Sequence, residues 1–449
     1  MRSLSENSTA VLSWLEAHRW QALAVTLPLV VLMHLVAAAA TIRHSNQVST
    51  ASDQGAEMWL AATSRDDLVP QRTDGVRHPL WSWLARNLYT EDPAAFFTRG
   101  KWLNSGLCVV FLCALGVVVT RWLDPLATAN LLLLSSLGIF LVRGTYFQPE
   151  PLYYILSFLA GVVVWRLLRG ATLWAYLSFG GVCGLAYLSK PSLLPFLLAF
   201  AAAYVLRIFL AVRRHEKNWP PGKNLLRLAL AFALFALMLI PLGRFSQEAF
   251  GKPFFNYTKF WMWMDDFETE AWPLQTKYPG GIQLKTLPAD ETPSPSWYFR
   301  RHSVTDAIQR TTSGSREIAV RFFWPEEKLS GPAFFWRASG KKWSQPLAHR
   351  GVYLLALAGL CAGLFWSVRK SAWPRLATPE ILAFGAFLLM AAGLYVGLYG
   401  WYYPIGHGDR FMGSLWVPVV FLLSWWAFLF RSRAGGKGAD ISYLAVHLA

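Results

Sequence analysis

Asp53 and Glu57 stand four residues apart in the stretch Asp53-Gln54-Gly55-Ala56-Glu57-Met58-Trp59-Leu60. On a helix that spacing puts both carboxylates on one face, and Trp59 and Leu60 let such a helix lie against a membrane surface. Farther along come Glu150, Lys190 and Arg410, each at the edge of a long apolar run. Carboxylates of this kind can draw a proton from a hydroxyl or an amine, and cations beside them can hold a phosphate. An acid beside a bilayer is also ordinary as a solvated face. What decides is whether these positions gather on one side of a membrane, where ionisable groups line a watery cavity.

The elements that must position them are membrane spans. The 449-residue chain is 54% hydrophobic and only 15% charged, against about 25% charged in average soluble proteins. Its 23 Trp, 30 Phe and 16 Tyr suit a chain that meets two membrane interfaces many times. A span needs roughly 20 mostly apolar residues. That criterion predicts an all-α polytopic membrane protein of about ten helices, near 22–42, 102–120, 126–142, 152–168, 171–188, 191–212, 225–243, 351–367, 380–400 and 411–430. The run 171–212 is too long for one helix and breaks at Ser189-Lys190-Pro191.

Ten spans put both termini on one side, and the basic residues say which. The segments presumed cytoplasmic carry sixteen Lys and Arg, whereas the three short turns opposite carry only Arg143, Lys190 and Arg410. Both termini are therefore expected in the cytoplasm. Asp53 and Glu57 follow span one, Glu150 follows span three, Lys190 follows span five and Arg410 follows span nine. All fall on the outer side.

This organisation divides the chain into a membrane domain over 1–243 with an outer catalytic loop at 44–101, an extracytoplasmic insertion over 244–350, and C-terminal helices with a cytoplasmic tail over 351–449. Asp265, Asp266, Glu268 and Glu270 in the insertion are expected to form a solvated face. The net charge of +16 is scattered through short loops, which fits anionic membrane lipids better than nucleic acid, and no nucleic-acid-binding motif accompanies it. Cys108, Cys113, Cys183 and Cys361 all lie in apolar runs and suggest neither disulfides nor a metal site. His34, deep in the first span, reads as a locally hydrogen-bonded group.

Five short segments, in this order, carry a family resemblance: Asp53-Gln54, Arg77-His78-Pro79-Leu80-Trp81, Glu150-Pro151-Leu152-Tyr153, Gly184-Leu185-Ala186-Tyr187-Leu188-Ser189-Lys190 and Asp409-Arg410-Phe411. Together they resemble the GT-C glycosyltransferases, polytopic enzymes that include protein mannosyltransferases and lipid A aminoarabinose transferases. The resemblance implies an inverting transfer of a sugar from a polyprenyl-phosphate donor to a lipid, glycan or protein acceptor at the outer face of the plasma or inner membrane. It implies Asp53 and Glu150 as catalytic groups. Glu57, Arg77, His78, Lys190, His407 and Arg410 become candidate substrate contacts, with Lys190 and Arg410 on the departing phosphate. It implies no organic cofactor and leaves a divalent cation open, although Gln54 stands where the family often carries a second acid. Two other readings use the same features. One is a transporter or flippase for a lipid-linked saccharide. The other is an O-antigen ligase or polymerase, which would shift weight to Arg300, Arg301, His302 and Arg310.

Overall fold

The computed structural model describes residues 2–44, 46–50, 53–279, 281–284, 286–288, 290–323, 378–406 and 409–434. The regular elements among these residues are all helices, with no strand among them. Seven helices are long and apolar enough to cross a membrane: Arg19–His44, Pro93–Val119, Pro125–Gly144, Glu150–Arg169, Pro191–Arg213, Pro221–Phe250 and Pro379–Gly406. Two shorter apolar helices, Leu173–Ser189 and Arg410–Trp425, accompany them. The expected span at 351–367 lies outside the described residues, and so do His407 and Cys361. The chain is a multi-pass helical membrane protein.

Local sequence sets most helix ends. Pro93, Pro125 and Pro221 occupy first helical positions, where a missing N–H costs nothing. Asp92 accepts from the Ala94 amide at 2.9 Å, and Asp124 accepts from Leu126 and Ala127 at 2.9 and 3.0 Å. The second long helix therefore starts at Pro93, earlier than hydropathy predicts. The predicted span 126–142 fills out to Pro125–Gly144 through a π turn at Ser136–Phe140. Near that turn the Trp416 indole donates to the Leu134 carbonyl at 3.0 Å.

Helix Leu173–Ser189 packs between Glu150–Arg169 and Pro221–Phe250. A Cβ at Gly180 would stand 2.1 Å from the Ala231 carbonyl oxygen, so only glycine lets these two backbones meet. One end of Glu150–Arg169 is closed by cations. Arg207 donates to Leu168 O at 2.8 Å, Arg227 to Ala171 O at 2.7 Å, and the Trp219 indole to Leu167 O at 3.2 Å. This satisfies the carbonyls that a helix C-terminus leaves unpaired. The other end of the same helix carries Glu150 and the candidate site.

Beyond Phe250 the chain forms short helices at Thr258–Trp261, Trp272–Lys277, Gly281–Leu284 and Pro295–Arg301, then the helix Val304–Phe323. Phe250, Phe255, Tyr257 and Trp261 form a separate small core there with Ile405. The backbone amide of Tyr257 donates to Gly75 O at 2.8 Å, which ties this region to the first loop. The expected solvated acidic face is half right. Asp266 and Glu268 are exposed. Asp265 instead pairs with His302 at 2.8 Å and Arg310 at 3.0 Å, and Glu270 pairs with Arg301 at 2.6 Å. Arg310 also donates to Trp401 O at 2.8 Å, so these acids fasten the region to helix Pro379–Gly406. Their role is docking.

His34 is also only half satisfied. Its Nδ1 meets Ser136 Oγ at 2.9 Å, while Nε2 has no hydrogen-bond partner among the described residues. The three described cysteines, Cys108, Cys113 and Cys183, are free thiols.

Candidate active site

Asp53 sits at the N-cap position of helix Gln54–Thr63 but its side chain does not cap the helix. Its two oxygens go elsewhere. Arg77 Nη2 donates to Oδ1 and Arg410 Nη1 to Oδ2, each at 2.5 Å. Glu150 opens helix Glu150–Arg169, where the helix N-terminus favours a negative charge. It accepts from Lys190 Nζ at 2.5 Å and lies 3.8 Å from Arg410 Nη1. Arg77 also pairs with Asp74 at 2.5 Å. The result is an alternating row: Asp74, Arg77, Asp53, Arg410, Glu150, Lys190. Three carboxylates and three cations from five stretches of chain form one balanced network.

Each member is placed by local structure. Asp74 Oδ1 accepts from the backbone amides of Val76 and Arg77 at 2.9 and 2.7 Å, a turn that aims the Arg77 side chain back. His78 ends the loop before helix Pro79–Ala85, and its Nδ1 stands 2.6 Å from Tyr187 O. A carbonyl only accepts, so Nδ1 carries the proton and Nε2 is the free lone pair. Burial pushes the His78 imidazole down to about 4, so the ring is neutral at ordinary pH. Lys190 has extended backbone, as the residue before Pro191 must, and this ends helix Leu173–Ser189. Arg410 lies in the short turn Asp409–Met412, whose backbone is held by the Tyr154 hydroxyl donating to Arg410 O. A Cβ at Gly413 would stand 2.5 Å from the Tyr154 ring, so a side chain there would push that tyrosine away. Phe411 lies under Lys190, with Nζ 4.6 Å from the ring centroid.

The network has depth. The Asp53 and Arg410 side chains are 29% and 24% exposed, whereas Glu150 is 1% exposed. Burial alone would push the Asp53 carboxyl up. Arg410 first, and then Arg77, outweigh it and hold Asp53 well below the usual carboxylate range. Arg77 is held above its ordinary value by Asp74 and Asp53 against the pull of burial. Glu150 Oε2 accepts no hydrogen bond among the described residues.

Of the residues singled out from sequence, the structure unites Asp53, Arg77, Glu150, Lys190 and Arg410, and brings His78 alongside. His407 lies outside the described residues. Glu57 does not share the network. Its carboxyl group turns inward, 1% exposed, and accepts from Ser82 Oγ at 2.6 Å. A group so sealed is no substrate contact. Sequence reasoning missed Asp74, although it stands three residues before Arg77. It also missed Lys101, which is buried in helix Pro93–Val119; a lysine opening an apolar run was the available signal. Among the described residues no group of three or more His, Cys, Asp or Glu is placed to hold a metal ion.

Burial also pushes the Glu57 carboxyl up to about 8, with Arg77 and Ser82 opposing. The folded chain thus holds a proton that the unfolded chain releases above about 4.5. The stability this contributes is present at low pH and is lost as pH rises from that value through about 8. Glu57→Gln is expected to remove the loss, raising the thermal midpoint relative to wild type at pH 8 but not at pH 5. Parallel melting curves for the two proteins across that range would count against a protonated Glu57.

The chain matches no protein-family model, no curated protein and no solved structure.

Proposed function

We propose that this chain is a membrane glycosyltransferase that moves a sugar from a polyprenyl-phosphate donor to a lipid, glycan or protein acceptor. It works at the extracytoplasmic face of the plasma or inner membrane, with ten spans and both termini in the cytoplasm. One observation carries the reading: carboxylates and cations from five distant stretches alternate in a single network at one end of the helix bundle. Such a network is costly to assemble beside a bilayer and suits a reaction in which a proton is taken and an anion departs.

In the proposed step an acceptor O–H or N–H attacks the anomeric carbon. The bond from that carbon to the phosphate oxygen breaks, the electron pair leaves with the polyprenyl phosphate, and the acceptor's proton passes to Asp53. Arg410 and Lys190 meet the charge developing on the phosphate. Each cation is already paired, so the phosphate must compete for them. Its claim on Arg410 frees one oxygen of Asp53 and raises its basicity, while Arg77 stays on the other oxygen. Glu150, sealed beneath the row at 1% exposed, acts through the two cations it holds, Lys190 and Arg410. The Arg and His side chains on which an O-antigen ligase would depend support that reading less, because Arg301, His302 and Arg310 are engaged by Asp265 and Glu270.

The test is to incubate membranes containing the chain with radiolabelled polyprenyl-phosphate sugars and look for a labelled acceptor. Chain-dependent labelling from at least one donor is expected. Absence of labelling with every donor, from membranes in which the chain is folded, would sink the reading. Sidedness is tested separately. Cysteine placed at Glu91 should react with impermeant maleimide in intact cells, and cysteine at Asn218 should not; both positions are exposed. Labelling at Asn218 would reverse the orientation.

A further inference from the structure

Asp53 and Glu150 belong to different connections, and something must hold those connections in register. Gln54, next to Asp53, is fully buried, and Asn46 nearly so. Their side-chain amides face each other. Asn46 Nδ2 donates to Gln54 Oε1 at 2.8 Å, and Gln54 Nε2 donates back to Asn46 Oδ1 at 3.2 Å and to Val48 O at 3.3 Å. Both amides also grip the connection that leads into Glu150. Asn46 Nδ2 donates to Thr145 O at 2.9 Å, and the Phe147 backbone amide donates to Gln54 Oε1 at 3.0 Å. Two residues of helix Pro93–Val119 brace the clamp. Lys101 Nζ donates to Asn46 O at 2.7 Å and Ile42 O at 3.3 Å. Asn104 Nδ2 donates to Tyr146 O at 2.8 Å and Gln148 O at 2.7 Å.

We propose that Gln54 and Asn46 are positioning residues whose paired amides lock the Asp53 loop to the 145–149 connection, so that Asp53 and Glu150 meet Arg410 in one fixed geometry. The proposal rests on the transferase reading of the site. It also explains why residue 54 is an amide. A carboxylate there would turn an acceptor toward Asn46 Oδ1 and Val48 O, two further acceptors with no hydrogen between them, in a place closed to water. Gln54 therefore serves the fold of the site through the two hydrogens of its neutral N–H₂ group, and a glutamate of the same shape, even when protonated, can supply only one of them. Misplacing a reacting group by about 1 Å can cost about 10²-fold in rate.

The experiment compares the full-length chain in detergent with Gln54→Glu, Gln54→Ala and the double swap Asn46→Gln/Gln54→Asn, which keeps two amides and the same total side-chain length. Four quantities are read: kcat, donor KM, thermal midpoint, and hydrogen exchange of the peptide covering 145–149. Gln54→Glu is expected to lower kcat about 10²-fold with donor KM within about threefold, while the protein stays folded at the assay temperature. Exchange at 145–149 should speed up, and the double swap should recover about tenfold of the activity lost in Gln54→Ala. Wild-type kcat in Gln54→Glu, unchanged exchange, or a loss of rate no larger than the loss of folded protein would each overturn the proposal. A wild-type chain that transfers no sugar, while Gln54→Glu still loosens 145–149, would instead remove the transferase reading and reduce the clamp to a structural element.

Discussion

Asp53→Asn is expected to lower transfer turnover by about 10²–10⁴-fold while the protein expresses and extracts like wild type. The substitution keeps the size of the side chain and removes the proton-accepting charge. The fold should tolerate it. Asp53 is part-exposed, Arg77 keeps Asp74, and Arg410 keeps Glu150, so neither guanidinium is left alone. The rate should not survive it. With Arg410 and Arg77 holding Asp53 well below the usual carboxylate range, the side chain stays ionised throughout the working pH range. It is a weak base until the donor phosphate draws Arg410 away. A pH profile of kcat/KM reports groups of the free enzyme. It should therefore show no Asp53 limb in the ordinary carboxylate range. Turnover of Asp53→Asn within a few-fold of wild type would move the chemistry elsewhere, with Glu150 the first candidate.

The parts of this protein that follow from periodicity and hydropathy were readable in the sequence, and the parts that follow from long-range hydrogen bonds were not. Apolar runs located the seven span-length helices because a bilayer rewards little else. They misjudged the start at Pro93, because the polar stretch Thr98-Arg99-Gly100-Lys101 interrupts the apolar run even though the Lys101 side chain is buried. They made the run 126–142 look short because a π turn has no hydropathy signature. Asp53, Glu150, Lys190 and Arg410 were readable through span parity, since charges at span edges on the same side can only meet at one end of the bundle. Gln54 was readable only as a departure from a pattern. Its partner atoms include the Phe147 amide, 93 positions away in sequence, and nothing local announces that contact. Glu57 shows the opposite failure. Its spacing from Asp53 is helical, as expected, but a four-residue spacing leaves the tilt of a helix undetermined, and here the helix turns Glu57 inward to Ser82.

Arg410→Ala is expected to be nearly inactive, with about 10²–10³-fold lower turnover, the scale seen when one donor to a developing anion is removed. The position explains the size. Arg410 Nη1 lies 2.5 Å from Asp53 and 3.8 Å from Glu150, so this one cation joins the two carboxylates. It is also the cation that the phosphate must claim for Asp53 to be released. Removing it takes away charge on the departing oxygen and the link between the carboxylates together. Because taking a cation away from the buried Glu150 can unfold a protein, Arg410→Lys is the needed companion. Lysine keeps the charge but offers a single point of contact, where a guanidinium can hold phosphate with two parallel donors. Arg410→Lys should therefore fold normally and still lose turnover clearly. Lys190→Ala differs in kind: it strips the nearest cation from the buried Glu150, so its thermal midpoint should fall along with its activity. Transfer kinetics across donor concentrations separate these cases. A loss in kcat marks charge met in the transition state, whereas a loss confined to donor KM marks binding alone. Should Arg410→Ala keep both normal turnover and normal donor KM, Arg410 is only a fastener between spans, and Arg77 becomes the cation left to receive the phosphate.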